Sequence, residues 1–242
     1  LKDANGETRY AANEDGTPDY DRPLSADGAT ESTVLSVLEC HLKTHSRTSI
    51  GKKLSPGPWS SCHLDLHGAY ITEQVNFNDT QISELNAQNA KFLHDVFLSG
   101  STFTGETNFL HSKFSQHATF TGSKFIHHAH FSGATFTQLT NFNKAMFCHD
   151  AYFIDTTFDG GTLFTCTLFE GWTDFQRARF IKGCTFFNAD HMQKPIFRDS
   201  LFNIKLRSTK YFTFPESADL NTDGLPKGAR WSKFDNQGNP MP

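Results

Sequence analysis

The sequence predicts an all-β solenoid whose coils have four sides, and three observations support this fold class. Phenylalanine recurs from Phe109 to Phe186 in steps that alternate between five and six residues, so the true period is eleven. A small residue stands two positions before each of these phenylalanines, as Ala118 does before Phe120. Neither the 3.6-residue spacing of a helix nor the strict alternation of a half-buried strand fits this pattern. A chain that turns a corner at every step does fit it, and two eleven-residue periods then close one four-sided coil of 22 residues.

The large residue of each step is expected to fill the interior, while the small residue lets the next wall approach. We expect 20 of the 25 phenylalanines to lie on this internal ladder. Each fully buried phenylalanine contributes about 1.5–3 kcal/mol before the ordering entropy that offsets most of it. A platform for stacking nucleic-acid bases would need these rings outside, so the spacing argues against that function.

The ladder is regular from Phe92 onward and less regular before it. The earlier central positions are interpreted as Leu66, Ile71, Phe77, Ile82 and Ala87, with Ala69 and Thr80 as small partners. One centre is missing near His191, after which Phe197 and Phe202 resume the count. The repeat is therefore predicted over residues 64–202 as about six coils, and a strand spacing of ~4.8 Å makes the rod about 30 Å long.

The repeat unit resembles that of the pentapeptide repeat protein family, in which a central Leu or Phe follows Ala or another small residue by two positions. The segments Ala118-Thr119-Phe120 and Ala134-Thr135-Phe136 carry this resemblance. It covers residues 64–202 and implies a right-handed quadrilateral β-helix. The chain differs from the simplest family pattern because Phe replaces Leu and every second unit has an extra residue. In both features it is similar to a Phe-rich branch of the family that includes actinobacterial members.

The segments before the repeat are predicted to be a polar loop, residues 1–30, and a helix with a capping turn, residues 31–63. Ser32 or Thr33 is expected to cap this helix, whose apolar residues run from Val34 to Leu42. The helix is predicted to cover the open N-terminal coil and so to hide a sheet edge that would otherwise invite association.

After the repeat, residues 203–242 are predicted to form an irregular C-terminal cap and a tail. Tyr211, Phe212 and Phe214 are expected to fold over the last coil. A terminal cap is the usual requirement of a repeat array.

Composition gives no strong signal for an electrostatic partner. The net charge is −4, and residues 64–202 hold 13 acids against 9 Lys and Arg. No apolar run is long enough to span a membrane, and no signal peptide is visible. The chain begins with Leu1 and not with Met, so we expect that upstream residues were removed or left out. The five cysteines lack a CxxC pair and are expected to be free, which favours a reducing cytoplasm.

One corner of the predicted coil gathers side chains that can ligate metals. Stacking at 22 residues brings together His127, His128, Cys148, His149 and Asp150. Imidazole, thiolate and carboxylate groups are transition-metal ligands. These are also ordinary turn residues without a recognised ligand spacing, so metal binding is the less favoured interpretation. With no nucleophile motif, phosphate loop or HExxH sequence, we expect no catalytic residue, no cofactor and no enzymatic activity.

A few outward positions are apolar where the repeat would place polar residues. They are Met146, Tyr152, Ile154, Leu163 and Leu168. Isolated exposed apolar residues need no explanation, whereas a contiguous patch would indicate a partner surface.

The favoured function is a non-catalytic, cytoplasmic protein–protein interaction module, with an unknown protein partner or a second copy bound through an end of the rod. One alternative, implied by the quinolone-resistance members of the family, is a DNA mimic that inhibits or protects DNA gyrase. The mixed charge of the rod argues against that role. A second alternative is a cytoplasmic domain whose membrane anchor lies upstream of Leu1. Neither nucleic-acid binding nor a membrane segment within this chain is expected.

Overall fold

From residue 63 onward the chain winds as a four-sided coil, and each circuit adds one short strand to each of four sheets. The computed structural model describes residues 10–12, 18–23, 28–46, 54–207 and 211–241. Successive coils pair in parallel with a shift of 22 residues, as in the pairing of Ala129 with Ala151. The four sheets are called walls 1 to 4 in the order in which the chain reaches them. The predicted β-solenoid of about six coils is confirmed, with stacking at the strand spacing of ~4.8 Å.

Walls 1 and 2 follow each other along the chain and are joined at a tight corner. Wall 1 consists of the strands His63–Asp65, Glu84–Asn86, Thr107–Asn108, Ala129–His130, Ala151–Tyr152 and Thr173–Asp174. Wall 2 consists of Tyr70–Ile71, Lys91–Phe92, Lys113–Phe114, Thr135–Phe136, Thr157–Phe158, Arg179–Phe180, Leu201–Asn203, Arg230–Phe234 and Pro240–Met241.

Walls 3 and 4 complete each coil. Wall 3 consists of the strands Val75–Asn76, Val96–Phe97, Ala118–Thr119, Thr140–Asn141, Thr162–Leu163, Cys184–Thr185 and Phe212–Thr213. Wall 4 consists of Gln81–Ile82, Thr102–Phe103, Lys124–Phe125, Met146–Phe147, Leu168–Phe169 and Asp190–His191.

The phenylalanines fill the interior as stacked columns, one beneath each wall. Beneath wall 3, the rings of Phe120, Phe142, Phe164 and Phe186 stack with centroids 4.7, 5.1 and 4.7 Å apart and within 7° of parallel. All four are buried, which confirms the predicted column. Rings of neighbouring columns meet edge to face, an arrangement that adds attraction beyond burial.

The small residues two positions before each phenylalanine are also buried, as predicted. Most of their hydroxyl groups bond to carbonyl oxygens inside the coil; Ser123 Oγ, for example, donates to Phe120 O at 2.6 Å. Three of the hydroxyls at these small positions have no hydrogen-bond partner among the described residues, those of Thr107, Thr162 and Thr173. Size alone is therefore enough for this position, since Ala and Cys occupy it as well.

Two of the four corners explain the eleven-residue period. The corners from wall 1 to wall 2 and from wall 3 to wall 4 hold a residue with positive φ, such as His111 at 55° and Gly122 at 65°. This left-handed residue makes the tight turn of each five-residue step, which costs least for Gly, Asn and Asp. The extra residue of each six-residue step lies at the other two corners, where the chain turns more widely.

The N-terminal helix spans Gly28–Leu42, so the predicted cap at Ser32 or Thr33 is wrong. The reason is a long-range contact that local capping rules do not predict. The carboxylate of Glu31 accepts hydrogen bonds from Thr72 N and Glu73 N, at 2.7 and 3.1 Å. This contact anchors the turn that precedes Ser32. Leu35 and Leu42 are buried against the first coil.

The helix contacts the outermost strand of wall 3, so it protects a sheet edge as predicted. The first 30 residues are not wholly loop, since Tyr10–Ala12 and Pro18–Pro23 pair as antiparallel strands. A second short antiparallel pair joins His45–Ser46 to Leu54–Ser55.

The C-terminal cap is more regular than the sequence indicates. Phe212–Thr213 extends wall 3 and Arg230–Phe234 extends wall 2, after a short 3-10 helix at Ile204–Leu206. Phe212 and Phe214 pack on Phe202, with ring centroids 5.5 and 5.3 Å away. Tyr211, expected to fold over the last coil with them, is instead 43% exposed, since it lies in the turn before the strand Phe212–Thr213.

The missing centre of the ladder near His191 lies in wall 4. The strand Asp190–His191 pairs with Leu168–Phe169, so His191 stands opposite Phe169 in the register. The backbone of the coil therefore continues through the position at which the phenylalanine column ends.

Replacing Phe142 with Ala is expected to lower the free energy of unfolding by about 3–5 kcal/mol, because the fully buried ring leaves a cavity within a rigid column. Chemical denaturation measures the change. Phe187→Ala is the control, since this ring is 61% exposed and its loss should alter stability by less than about 0.5 kcal/mol. Equal losses in the two variants would contradict the internal column.

Two threonines at equivalent small positions test the role of the buried hydroxyls. Thr162→Val removes a buried hydroxyl that has no partner among the described residues, and it is expected to stabilise the protein by about 1 kcal/mol. Thr156→Val removes a bond of 2.9 Å to Phe131 O and is expected to destabilise it by about the same amount. Thermal melts of both variants provide the measurement, and shifts of the same sign would refute the assignment.

Candidate interaction surface

The walls differ in charge, although they share one backbone geometry. The strands of wall 1 contain the acids Asp65, Glu84 and Asp174, and none of these strands contains Lys or Arg. Glu106 and Asp150 stand directly before two further wall 1 strands. The strands of wall 2 have the opposite character, with basic residues that include Lys91 and Lys113 and no acid. Adjacent walls of the rod thus present opposite charges to solvent.

Tyr152 lies on the fifth of the six strands of wall 1 and is half-buried. Its hydroxyl donates to Asp150 Oδ2 at 3.0 Å, and its ring stacks on His130 at 5.0 Å and 12°. Burial, followed by the hydrogen bond to Asp150, raises the pKa of Tyr152 above its ordinary value. His130 in turn lies 3.4 Å from the carboxylate of Glu106. This chain of contacts holds the tyrosine ring as a neutral, fixed element of the wall.

Asp150 joins this network to an exposed tryptophan one coil further on. Its Oδ1 accepts a hydrogen bond from Trp172 N at 2.8 Å, while the Trp172 side chain is 57% exposed. His128 Nδ1 lies 3.6 Å from Asp150 Oδ2, which is an ion-pair distance but longer than a hydrogen bond. The ring nitrogen accordingly lacks a hydrogen-bond partner among the described residues.

Asp174 is the most buried acid of wall 1, with only 9% of its surface exposed. Its Oδ1 accepts from Gln176 N at 2.8 Å and its Oδ2 accepts from Gln176 Nε2 at 2.7 Å. In the described part of the chain, no Lys, Arg or His side chain pairs with this carboxylate. Asp174 lies next to Tyr152 in the strand register.

Comparison with known proteins accounts for the coil. The family model described as pentapeptide repeats matches the chain in nine copies, at residues 98–146. The resemblance to the pentapeptide repeat family is confirmed over these residues. No curated protein sequence matches the chain significantly. No helix among the described ranges of the chain has the length and apolar character needed to cross a membrane.

The apolar residues singled out in the sequence are divided among three walls of the rod. Met146 and Leu168 pair on wall 4, Leu163 lies on wall 3, and Tyr152 and Ile154 lie on wall 1. All five are half-buried. A flat partner can contact only the members on one wall, so Tyr152 and Ile154 form a separate surface from the other three.

The candidate metal ligands do not converge on one point. His127 and His149 stack at 5.7 Å on successive coils, and His128 lies beside Asp150. Cys148 instead interacts with Glu170, and burial, followed by Glu170, raises the pKa of its thiol. Across the residues that the structure describes, no group of three or more His, Cys, Asp or Glu side chains is placed to hold a metal ion.

The sequence reasoning missed Trp172 and Asp174 as surface residues. Aligning the chain at 22 residues would have shown the first, because Trp172 follows Glu84, Glu106, His128 and Asp150 in one column of polar residues. The burial of Asp174 has no such signal, since it depends on the neighbouring coil.

Elemental analysis of the purified, untagged protein is expected to find no stoichiometric transition metal, because these ligands are dispersed over different contacts. A His127→Ala, His149→Ala double variant serves as the comparison. A tightly bound metal that this variant loses would overturn the expectation.

Proposed function

We propose that the pentapeptide-repeat rod is a non-catalytic interaction module that binds a partner protein through wall 1. The observation that carries the proposal is an aromatic centre, Tyr152 with the exposed Trp172, set among acids on a flat wall. Tyr and Trp are the residues most enriched among the energetic hot spots of protein interfaces. A rigid repeat array offers such a surface without reorganising, which keeps the entropic cost of binding low.

Catalysis is not part of this proposal. An enzyme site needs a nucleophile or base and an oxyanion or metal group converging on a sheltered position. The pairs His128–Asp150 and His130–Glu106 project from an outward wall, with both histidines more than a third exposed. The five cysteines are free of disulfide bonds, which favours a reducing compartment. We therefore propose that binding occurs in the cytoplasm.

The basic residues of wall 2 argue against a function as a DNA mimic. Duplex DNA has one negative charge per about 1.7 Å of its axis, whereas Lys91, Lys113 and Arg179 project from wall 2. A DNA mimic would inhibit supercoiling by gyrase, or protect gyrase from a quinolone, at micromolar concentration. We expect neither effect, and a supercoiling assay distinguishes the two functions.

Affinity capture with matched surface variants tests the proposal. The immobilised full chain is exposed to native lysate and to detergent-solubilised membranes, and captured proteins are quantified by mass spectrometry. We expect a protein that the wild type retains to be lost with Trp172→Ala and with Tyr152→Ser. A hot-spot residue contributes about 2 kcal/mol or more, so recovery should fall at least tenfold.

Phe187→Ala is the matched control, because Phe187 is 61% exposed, as against 57% for Trp172, and lies beyond wall 3. This variant is expected to retain the partner. If Phe187→Ala loses the partner while both wall 1 variants keep it, binding through wall 1 is refuted. Recovery only from the membrane fraction would support the membrane-anchored alternative for the complex.

A further inference from the structure

We propose that wall 1 recognises a basic segment of its partner and receives one arginine side chain beside Tyr152 and Trp172, against the carboxylates of Asp150 and Asp174. This inference rests on the interaction surface proposed above and specifies the chemistry of the partner. The fold does not need the negative charge of Asp174.

Asp174 makes a backbone contact that asparagine makes elsewhere in the same column. Asn86 Oδ1 accepts from Gln88 N at 3.2 Å, and Asn108 Oδ1 accepts from Leu110 N at 2.9 Å. Asp174 Oδ1 accepts from Gln176 N in the same way, at 2.8 Å. An amide oxygen therefore makes this contact as a carboxylate does, and His130 and Tyr152 occupy the same column without it. The negative charge of Asp174 is additional.

This additional charge is costly where it stands. The residue Asp174 is only 9% exposed, and burial of a charge without a cationic partner is unfavourable. Gln176 Nε2 supplies a neutral hydrogen bond, which compensates only in part. An incoming cation would complete the pairing.

The cations nearest to this carboxylate are engaged elsewhere. Arg177 forms a bidentate pair with Asp155, with Nε and Nη2 at 2.7 and 2.6 Å from the two carboxylate oxygens. Arg198 donates to the Oε1 atom of Gln176, on the far side of the amide from Asp174. Among the described residues, no cationic side chain thus pairs with Asp174, whereas Glu106 and Asp150 lie at ion-pair distance from His130 and His128.

The aromatic residues beside the carboxylates suit a guanidinium group. Trp172 is exposed and is fixed at its backbone by Asp150, while Tyr152 donates to the same carboxylate and lies next to Asp174 in the register. A cation over a Trp or Tyr face is attracted by the ring, and the planar guanidinium also stacks on it. Arginine is therefore favoured over lysine at this position.

The remaining acids of wall 1 extend the complementarity along the rod. Asp65, Glu84 and Glu106 lie on the coils that precede Tyr152. A segment with several basic residues can follow these acids, whereas wall 2, with its lysines, would repel it. The wall as a whole selects a basic partner, and the arginine position sets the register.

Isothermal titration of the whole chain with hexa-arginine amide, at about 150 mM salt to screen distant charges, tests the inference. We expect saturable binding of hexa-arginine, weaker binding of hexa-lysine amide, and no binding of the hexa-citrulline peptide, which has the same shape without the charge. Asp174→Asn and Trp172→Ala should each weaken hexa-arginine binding by about fivefold. Asp174→Asn should melt at or above the temperature of the wild type, because asparagine makes the same contact at positions 86 and 108 and a buried charge is removed.

Asp190→Asn is the matched control, since it removes one negative charge from wall 4 and leaves wall 1 intact. It should bind hexa-arginine as the wild type does. Equal binding by the Asp174→Asn and Asp190→Asn variants, or equal affinity for the arginine and citrulline peptides, would overturn the arginine site.

The peptide and capture experiments distinguish a failure of the arginine inference from a failure of the proposed function. If Tyr152→Ser loses the captured partner while Asp174→Asn keeps it and hexa-arginine does not bind, the arginine inference is wrong and the interaction module stands. If hexa-arginine binding depends on Asp174 but capture is insensitive to wall 1, the arginine site stands and the proposed function is wrong.

Discussion

The structure depends on one steric constraint: each side of the coil has room inside for one large and one small side chain. The phenylalanine rings stack at 4.7–5.1 Å beneath wall 3, close to the spacing of ~4.8 Å between hydrogen-bonded strands. Ring stacking and the backbone ladder therefore share one repeat distance and stabilise each other along the rod. The rings are buried best in the register in which ring stacking and strand pairing coincide. The interior therefore leaves few alternatives for the register of the chain.

A fixed interior leaves the outward positions free to differ between walls. Those positions form a lattice whose rows are coils and whose columns are residues 22 apart, so neighbouring side chains come from distant parts of the sequence. Wall 1 uses this lattice to bring Glu106, His130, Asp150 and Tyr152 into one network. Rigidity matters here, because side chains fixed by their neighbours lose little entropy when a partner binds. Wall 1 is acidic and wall 2 is basic, so charge is distributed unevenly around the axis of the rod. The net charge of −4 does not reveal this asymmetry.

The ends of the rod obey different rules from its middle. The helix Gly28–Leu42 begins earlier than capping residues indicate, because a single carboxylate, Glu31, bonds to the backbone of the first coil. The C-terminal cap adds strands to walls 2 and 3 although its sequence has lost the repeat. In both cases an exposed sheet edge dictates the local structure, since unpaired backbone groups at an edge are satisfied by whatever segment is near.

The sequence by itself determined the coil: its four sides, its period and the inward phenylalanines all follow from spacing that recurs within eleven residues. The outward positions of Tyr152 and Ile154, and the stacking of His127 on His149, also follow once the 22-residue coil is known. Only the tertiary structure decided which of these side chains act together. Cys148 interacts with Glu170, and Asp174 becomes buried beside Tyr152. The physical reason is that inward packing is a property of the repeat, whereas hydrogen bonds and burial on a wall depend on rotamers and neighbours contributed by other coils.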